Sequence, residues 1–180
     1  MADEVGDFTM TAPTHADLVL HSKNAPAYMY EFAHLSSLNP SPWWKGAAHK
    51  DDTPYEFGFP LMNVTVLQQY NAADRNISDM LITLFTNFAK YGNPTPQPVS
   101  GVSWEGFNSS HMAYFRIQSQ PEMAVNYRPT KMAFWNEHYE KMLLEEPYSC
   151  ESRSSALKIC LSFDCFVVFL CFSLLNVLLI

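Results

Sequence analysis

"NAADRNISDMLITLFTNFAKYGNP", Asn71 to Pro94, is the stretch on which the fold turns. Ile77, Met80, Leu81, Leu84, Phe85 and Phe88 fall at i, i+3, i+4, i+7, i+8 and i+11, the spacing of one continuous apolar stripe on a helix. Asn71 can cap the start. Gly92 followed by Asn93-Pro94 ends the run, because glycine takes the closing turn and proline cannot continue it. The pattern predicts a helix from about Ala72 to Tyr91.

Such a helix needs a surface to lie on, and strand signals flank it. Ala27 to Phe32, "AYMYEF", is aromatic-rich, follows Pro26 and reads as a mostly buried strand. Tyr114 to Ile117 is a shorter second strand. Between strand and helix, Leu35 to Pro42 is a loop rich in Ser, Asn and Pro, and Trp43 to Pro60 is irregular, broken by Gly46, Pro54, Gly58 and Pro60. Pro129 opens a second helix running to about Leu144, with Met132, Trp135, Tyr139, Met142 and Leu143 on its apolar face. The order is strand, long loop, helix, strand, helix, and the class is α/β. Two strands make a poor sheet, so further strands are expected before Met1.

Bulk composition sets outer limits. A chain of 180 residues suits one domain, and 48% apolar with 14% aromatic residues is ample for a packed core. A net charge of −7 with no visible basic face argues against nucleic acid as a partner. The N-terminus, "MADEVGDFTM", has no apolar h-region and does not read as a secretory signal. Three sequons nevertheless occur, beginning at Asn63, Asn76 and Asn108. Cys150, Cys160, Cys165 and Cys171 all lie near the C-terminus, so residues 1–149 form no internal disulfide. These features together read as part of a longer protein.

The last stretch, "CFVVFLCFSLLNVLLI", Cys165 to Ile180, carries no charge. As a helix it is shorter than the roughly 30 Å hydrocarbon core; extending it back to Ile159 gives the length but takes in Asp164. Three readings compete. Ser154-Ser155-Ala156, the spacer Leu157 to Asp164 and the apolar tail have the layout of a lipid-anchor attachment signal. A tail anchor is the second, with Arg153 and Lys158 on the cytosolic side. An artefactual or alternatively spliced end is the third. The expected organisation is a folded segment over 1–145, a linker over 146–158 and a membrane-anchor or attachment signal over 159–180.

Chemistry is sparse. His49 sits beside Asp51 and Asp52, which can accept from an imidazole N–H, in a loop stiffened by Gly and Pro. A base of that kind needs a nucleophile, and the chain contains neither a G-x-S-x-G elbow nor an HGGG-type oxyanion loop. His15, His21, His34, His49, His111 and His138 show no metal-ligand spacing, so no metal and no cofactor is expected.

Three segments carry a family resemblance: "GAAHKDDTPYEFGFPL" (Gly46 to Leu61), "TNFAKYGNPTP" (Thr86 to Pro96) and "NYRPTKMAFWNEHY" (Asn126 to Tyr139). In that order they resemble the C-terminal third of type-B carboxylesterases, the α/β-hydrolase family of the cholinesterases and the adhesion proteins called neuroligins. The match runs from about Val5 to Leu144. It implies the C-terminal part of an α/β-hydrolase sheet with flanking helices, incomplete without upstream strands. The family's histidine loop usually reads H-G-[DE]-E. His49 thus matches the triad base, working or relic, Lys50 stands where a glycine is usual, and Asp52 stands at the glutamate as its supporting carboxylate. In this fold the triad runs Ser, acid, His, so the resemblance places nucleophile and acid upstream of Met1.

The branch follows from other positions. Cholinesterases usually join cysteines at the places held here by Ala12 and Met132, which leaves that bridge without either partner. Ala16-Asp17-Leu18, Ala47-Ala48-His49 and Tyr127-Arg128-Pro129-Thr130-Lys131 are closer to neuroligins, which keep the histidine while losing the serine. The resemblance implies a catalytically incomplete adhesion module at the cell surface. Its implied partners are a neurexin-like protein and a second copy bound through the last helix (Met132, Trp135, Tyr139, Met142, Leu143), with the membrane held by 159–180. The other implied function is a carboxylic-ester hydrolase fragment using His49.

Overall fold

The computed structural model describes residues 2–63 and 69–145, and centres on a three-stranded sheet. Strand β1 (Met29–Phe32) pairs in parallel with β2 (Ala113–Ile117), Met29 opposite Tyr114 and Phe32 opposite Ile117. Strand β3 (Glu122–Val125) returns antiparallel to β2. Parallel neighbours require a crossover, and α4 (Ala72–Tyr91) lies on that crossover.

The helix forms where the stripe predicts it. Asn71 Oδ1 accepts from the Asp74 N–H at 2.9 Å and Asp74 Oδ2 accepts from the Asn71 N–H at 3.0 Å, a closed capping box. At the other end Gly92 takes φ 66°, a left-handed turn that glycine enters without Cβ strain, and its N–H reaches the Phe88 carbonyl at 2.7 Å. Ile77, Met80, Leu81 and Leu84 are buried against Trp104, Phe115, Ile117 and Tyr55 in the main core. Alternation along the strands supplies the facing surface: Tyr30, Phe32, Phe115 and Ile117 point to this side, while Ala27, Met29 and Tyr114 belong to a second cluster with Leu18, Val19 and Phe107. Helices thus cover both faces of the sheet.

The sequence pattern did not disclose two stretches of regular structure. Residues before β1 form α1 (Ala2–Gly6), a π-helical segment (Asp7–Thr11) and α2 (Ala12–His21). Pro13 explains the widened turn: it has no N–H, and its ring crowds the carbonyl four residues back, so a looser winding relieves the clash. The second is β3, whose four residues are too few to show an alternation.

The last helix starts at Pro129 as its sequence predicts: α5 (Pro129–Ala133), a second π-helical segment (Phe134–His138) and α6 (Tyr139–Glu145). It packs on the N-terminal helices. The Phe8 ring lies 5.0 Å from Trp135 and 5.6 Å from Tyr139, and Asn136 Nδ2 donates to the Ala12 carbonyl at 3.1 Å. Asp7, buried, joins the two ends of the chain: Oδ1 lies 3.0 Å from the Arg128 guanidinium and Oδ2 lies 2.8 Å from Lys131 Nζ. Arg128 meets this carboxylate from a left-handed backbone at φ 44°. Among the described residues no helix is long and apolar enough to cross a membrane; the linker 146–158 and the segment 159–180 lie outside them.

Candidate functional site

In sheets with parallel strands, the loops after strand C-termini carry function, and the loop after β1 holds both histidines of interest. The chain leaves β1 through Ala33, whose N–H pairs with the Ile117 carbonyl at 2.9 Å, and enters His34 at once.

His34 is buried, with Nε2 at 2.8 Å from Asp74 Oδ1. Tyr55 OH donates to the same oxygen at 2.7 Å, and Ser37 Oγ donates to Oδ2 at 2.6 Å. With the Asn71 N–H, a wholly buried carboxylate accepts from four donors. Burial alone would raise the Asp74 pKa, but donors from Ser37, Tyr55, His34 and Asn71 prevail and hold it at about 2. Facing that ionised carboxylate, His34 Nε2 carries the hydrogen. The Tyr55 phenol is pushed up, by burial first and then by Asp74. Ser78 Oγ donates to the Tyr55 carbonyl at 2.7 Å, tying this cluster to α4.

His49 has a different setting. It is exposed, and among the described residues it hydrogen-bonds to no side chain. Neighbouring acids are engaged elsewhere. Asp51 Oδ2 accepts from the Ala48 N–H at 2.8 Å, closing the turn on which His49 rides. Asp52 Oδ2 accepts from Tyr30 OH at 2.9 Å, and Glu56 Oε1 lies 3.2 Å from the same hydroxyl. Tyr30, reaching out of β1, thereby pins α3 (Thr53–Glu56) and the loop before it. Burial, then the charge of Asp52, raises the Glu56 carboxyl; burial and both carboxylates raise the Tyr30 phenol. His49 and Asp52 are therefore near in sequence without being bonded.

Backbone geometry favours the glycine usual in the family loop over the lysine found here. Lys50 adopts φ 74°, the left-handed region where a Cβ is disfavoured, so a residue other than glycine stands here at a cost. Gly58, at φ 73°, lies in the same left-handed region, and an added Cβ there would also sit 3.2 Å from Ile82 Cδ1, which would have to give by a few tenths of an ångström. Beside the loop, a cleft of about 200 Å³ is lined by Phe32, His34, Asn39, Lys50, Asp51 and Tyr70 among others.

The other predicted site residues scatter. Met132 is buried; Trp135 and Tyr139 are half-buried against Phe8; Met142 and Leu143 are exposed at 39% and 42%. Asn63 is exposed, but Val64 and Thr65 of its sequon lie outside the described residues. Asn76 stands on α4 and Asn108 in a surface turn before β2. Among the described residues no three metal-ligating side chains converge. Sequence reasoning did not identify His34, Ser37, Tyr55 and Asp74 as one cluster. The one local signal that could have marked any of them is the Asn71-x-x-Asp74 spacing of a capping box.

Comparison with known proteins bears on the whole segment. A profile of the carboxylesterase family matches residues 1–135. Neuroligin-2 of Homo sapiens is 35% identical over 147 residues, covering 73% of this chain and 18% of the relative. Neuroligin-3 of Mus musculus is 32% identical over 145 residues, covering 72% and 18%. Neuroligin-3 of Macaca mulatta is 34% identical over 126 residues, covering 62% of each. The chain thus spans less than a fifth of the neuroligin-2 sequence it matches.

Proposed function

Because the chain belongs to the carboxylesterase family, on its neuroligin-like side, we propose that it works as part of a cell-surface adhesion module that hydrolyses no ester. The observation that carries this is the 35% identity to neuroligin-2 over 73% of this chain, and the exposed, unbonded His49 agrees with it. A triad base needs a carboxylate on one ring nitrogen and a nucleophile on the other. Asp51 and Asp52, the carboxylates beside it, are committed to Ala48 and Tyr30. On this reading His49 is a relic, and Asp52 supports the loop through Tyr30. The partner is a neurexin-like surface protein, and 159–180 hold the module at the membrane.

The last helix contributes a homodimer face. Its first turns are occupied by the N-terminal helices, whereas Met142, Leu143 and Leu144 stay exposed, Leu144 at 86%. An apolar strip of this kind on a helix end is suited to a second copy.

A second reading draws on the same exposure: His49 is open to an approaching seryl hydroxyl, so an ester hydrolase completed by the rest of the protein would use it as base. Labelling the whole native protein with a serine-hydrolase activity probe separates the two. The adhesion reading expects no covalent label; labelling abolished by His49→Ala overturns it.

A further inference from the structure

Three sequons look alike in sequence, but their surroundings differ. In the turn from Asn108 to His111 the two end residues exchange backbone hydrogen bonds at 3.2 Å each. Asn108 Oδ1 accepts from the Ser110 N–H at 3.0 Å, from Ser110 Oγ at 2.7 Å and from the His111 N–H at 2.7 Å. The carboxamide and the hydroxyl two residues on therefore sit together, on a turn whose four residues are all exposed. Buried Phe107 on one side and Ala113 on the other anchor the turn, so folding does not withdraw it. Asn108 Nδ2 makes no hydrogen bond to the described residues.

Asn76 presents the opposite case. Its side chain is exposed, but Ser78 of the same sequon is wholly buried, with its hydroxyl given to the Tyr55 carbonyl. Bringing that hydroxyl out means unwinding the first turns of α4, which dismantles both the capping box and the cluster around Asp74. Once α4 has formed, this sequon is closed.

We propose that Asn108 is an N-glycan acceptor of this protein and that Asn76 is not, an inference resting on the cell-surface reading above because it requires passage through the secretory lumen. The donor is a lipid-linked oligosaccharyl pyrophosphate. Asn108 Nδ2 forms the new bond to the sugar's C1, and the bond from C1 to the pyrophosphate oxygen breaks. The pyrophosphate leaves with the electron pair, and one amide proton passes to a base of the transferase. The hydroxyl two residues after the acceptor identifies the site, and here it is already folded towards the carboxamide.

To test this, the whole protein is expressed through the secretory route of cultured animal cells with a reporter sequon appended. Glycans are released by amidase in heavy-oxygen water, which marks each modified Asn as heavy Asp for peptide mass spectrometry. A heavy label at Asn108 and none at Asn76, with Ser110→Ala removing the label and Ser110→Thr keeping it, is the expected result. A labelled reporter with Asn108 bare, or with Asn76 labelled as fully as Asn108, overturns the assignment while leaving the cell-surface reading intact. An unlabelled reporter means that the chain never reached the lumen, and both fall.

Discussion

His34 and His49 ride on the same long connection after β1, each with acidic residues to choose from, and they end in opposite situations. His34 finds Asp74, forty positions away in sequence, inside a buried cluster where the carboxylate accepts from four donors. His49 has two aspartates within three residues and bonds to neither. The difference follows from solvation. A buried carboxylate must recruit donors or lose its charge, so the core forces a network to close. An exposed loop is under no such demand, because water satisfies each group separately, and the acids turn to whatever backbone or tyrosine lies nearer.

The sharpest way to break the comparison is Asp74→Ala. It strands His34, Ser37 and Tyr55 and opens the capping box, with an expected loss of about 4 kcal/mol in a denaturant titration of the whole protein. A loss below about 1 kcal/mol would mean that water fills the cluster as easily as the carboxylate does. The pH dependence has a definite sign. A carboxyl held at about 2, below its ordinary 3.8, stabilises the fold fully above that ordinary value, and the contribution fades as pH falls from about 4 towards 2. The mutant should lose that acid limb.

Asp7→Asn tests the second buried carboxylate, whose cationic partners are partly solvated. We expect a smaller loss of roughly 2 kcal/mol, accompanied by detachment of the last helix, read as faster hydrogen exchange at 129–145. Lys50→Gly goes the other way. Relief of the left-handed strain, less the entropy that glycine adds to the unfolded chain, leaves a gain of roughly 0.5–1 kcal/mol in the same titration. At the bottom of the scale, His49→Ala should shift stability by less than about 0.5 kcal/mol. A larger loss would mean that His49 bonds to some part of the protein outside the described residues, and the contrast with His34 would close.

Much of this was legible before any coordinates. The stripe from Ile77 to Phe88 with its Asn71 and Gly92 boundaries specifies α4, because helix periodicity and end chemistry are local properties of consecutive residues. "AYMYEF" reads as a strand for the same reason, and the three segments around His49, Phe88 and Trp135 sufficed for the family. Less was legible at the two ends. Pro13 and a run of polar residues concealed a helix that stands because Phe8, Asp7 and Ala12 find partners on the last helix, and β3 is a strand because β2 offers it an edge.

The apolar face of the last helix marks the border between the two kinds of knowledge. Its periodicity places Met132, Trp135, Tyr139, Met142 and Leu143 together, and that much belongs to the sequence. Which of them are covered does not: Met132 is buried and Met142 is exposed because the N-terminal helices end where they do. Charged partners follow the same rule. Adjacency in sequence brought Asp51 and Asp52 next to His49, and the sequence determined nothing more about them. The pairing of His34 with Asp74 was decided by the tertiary structure, because only burial makes an unmet hydrogen bond expensive enough to dictate a partner.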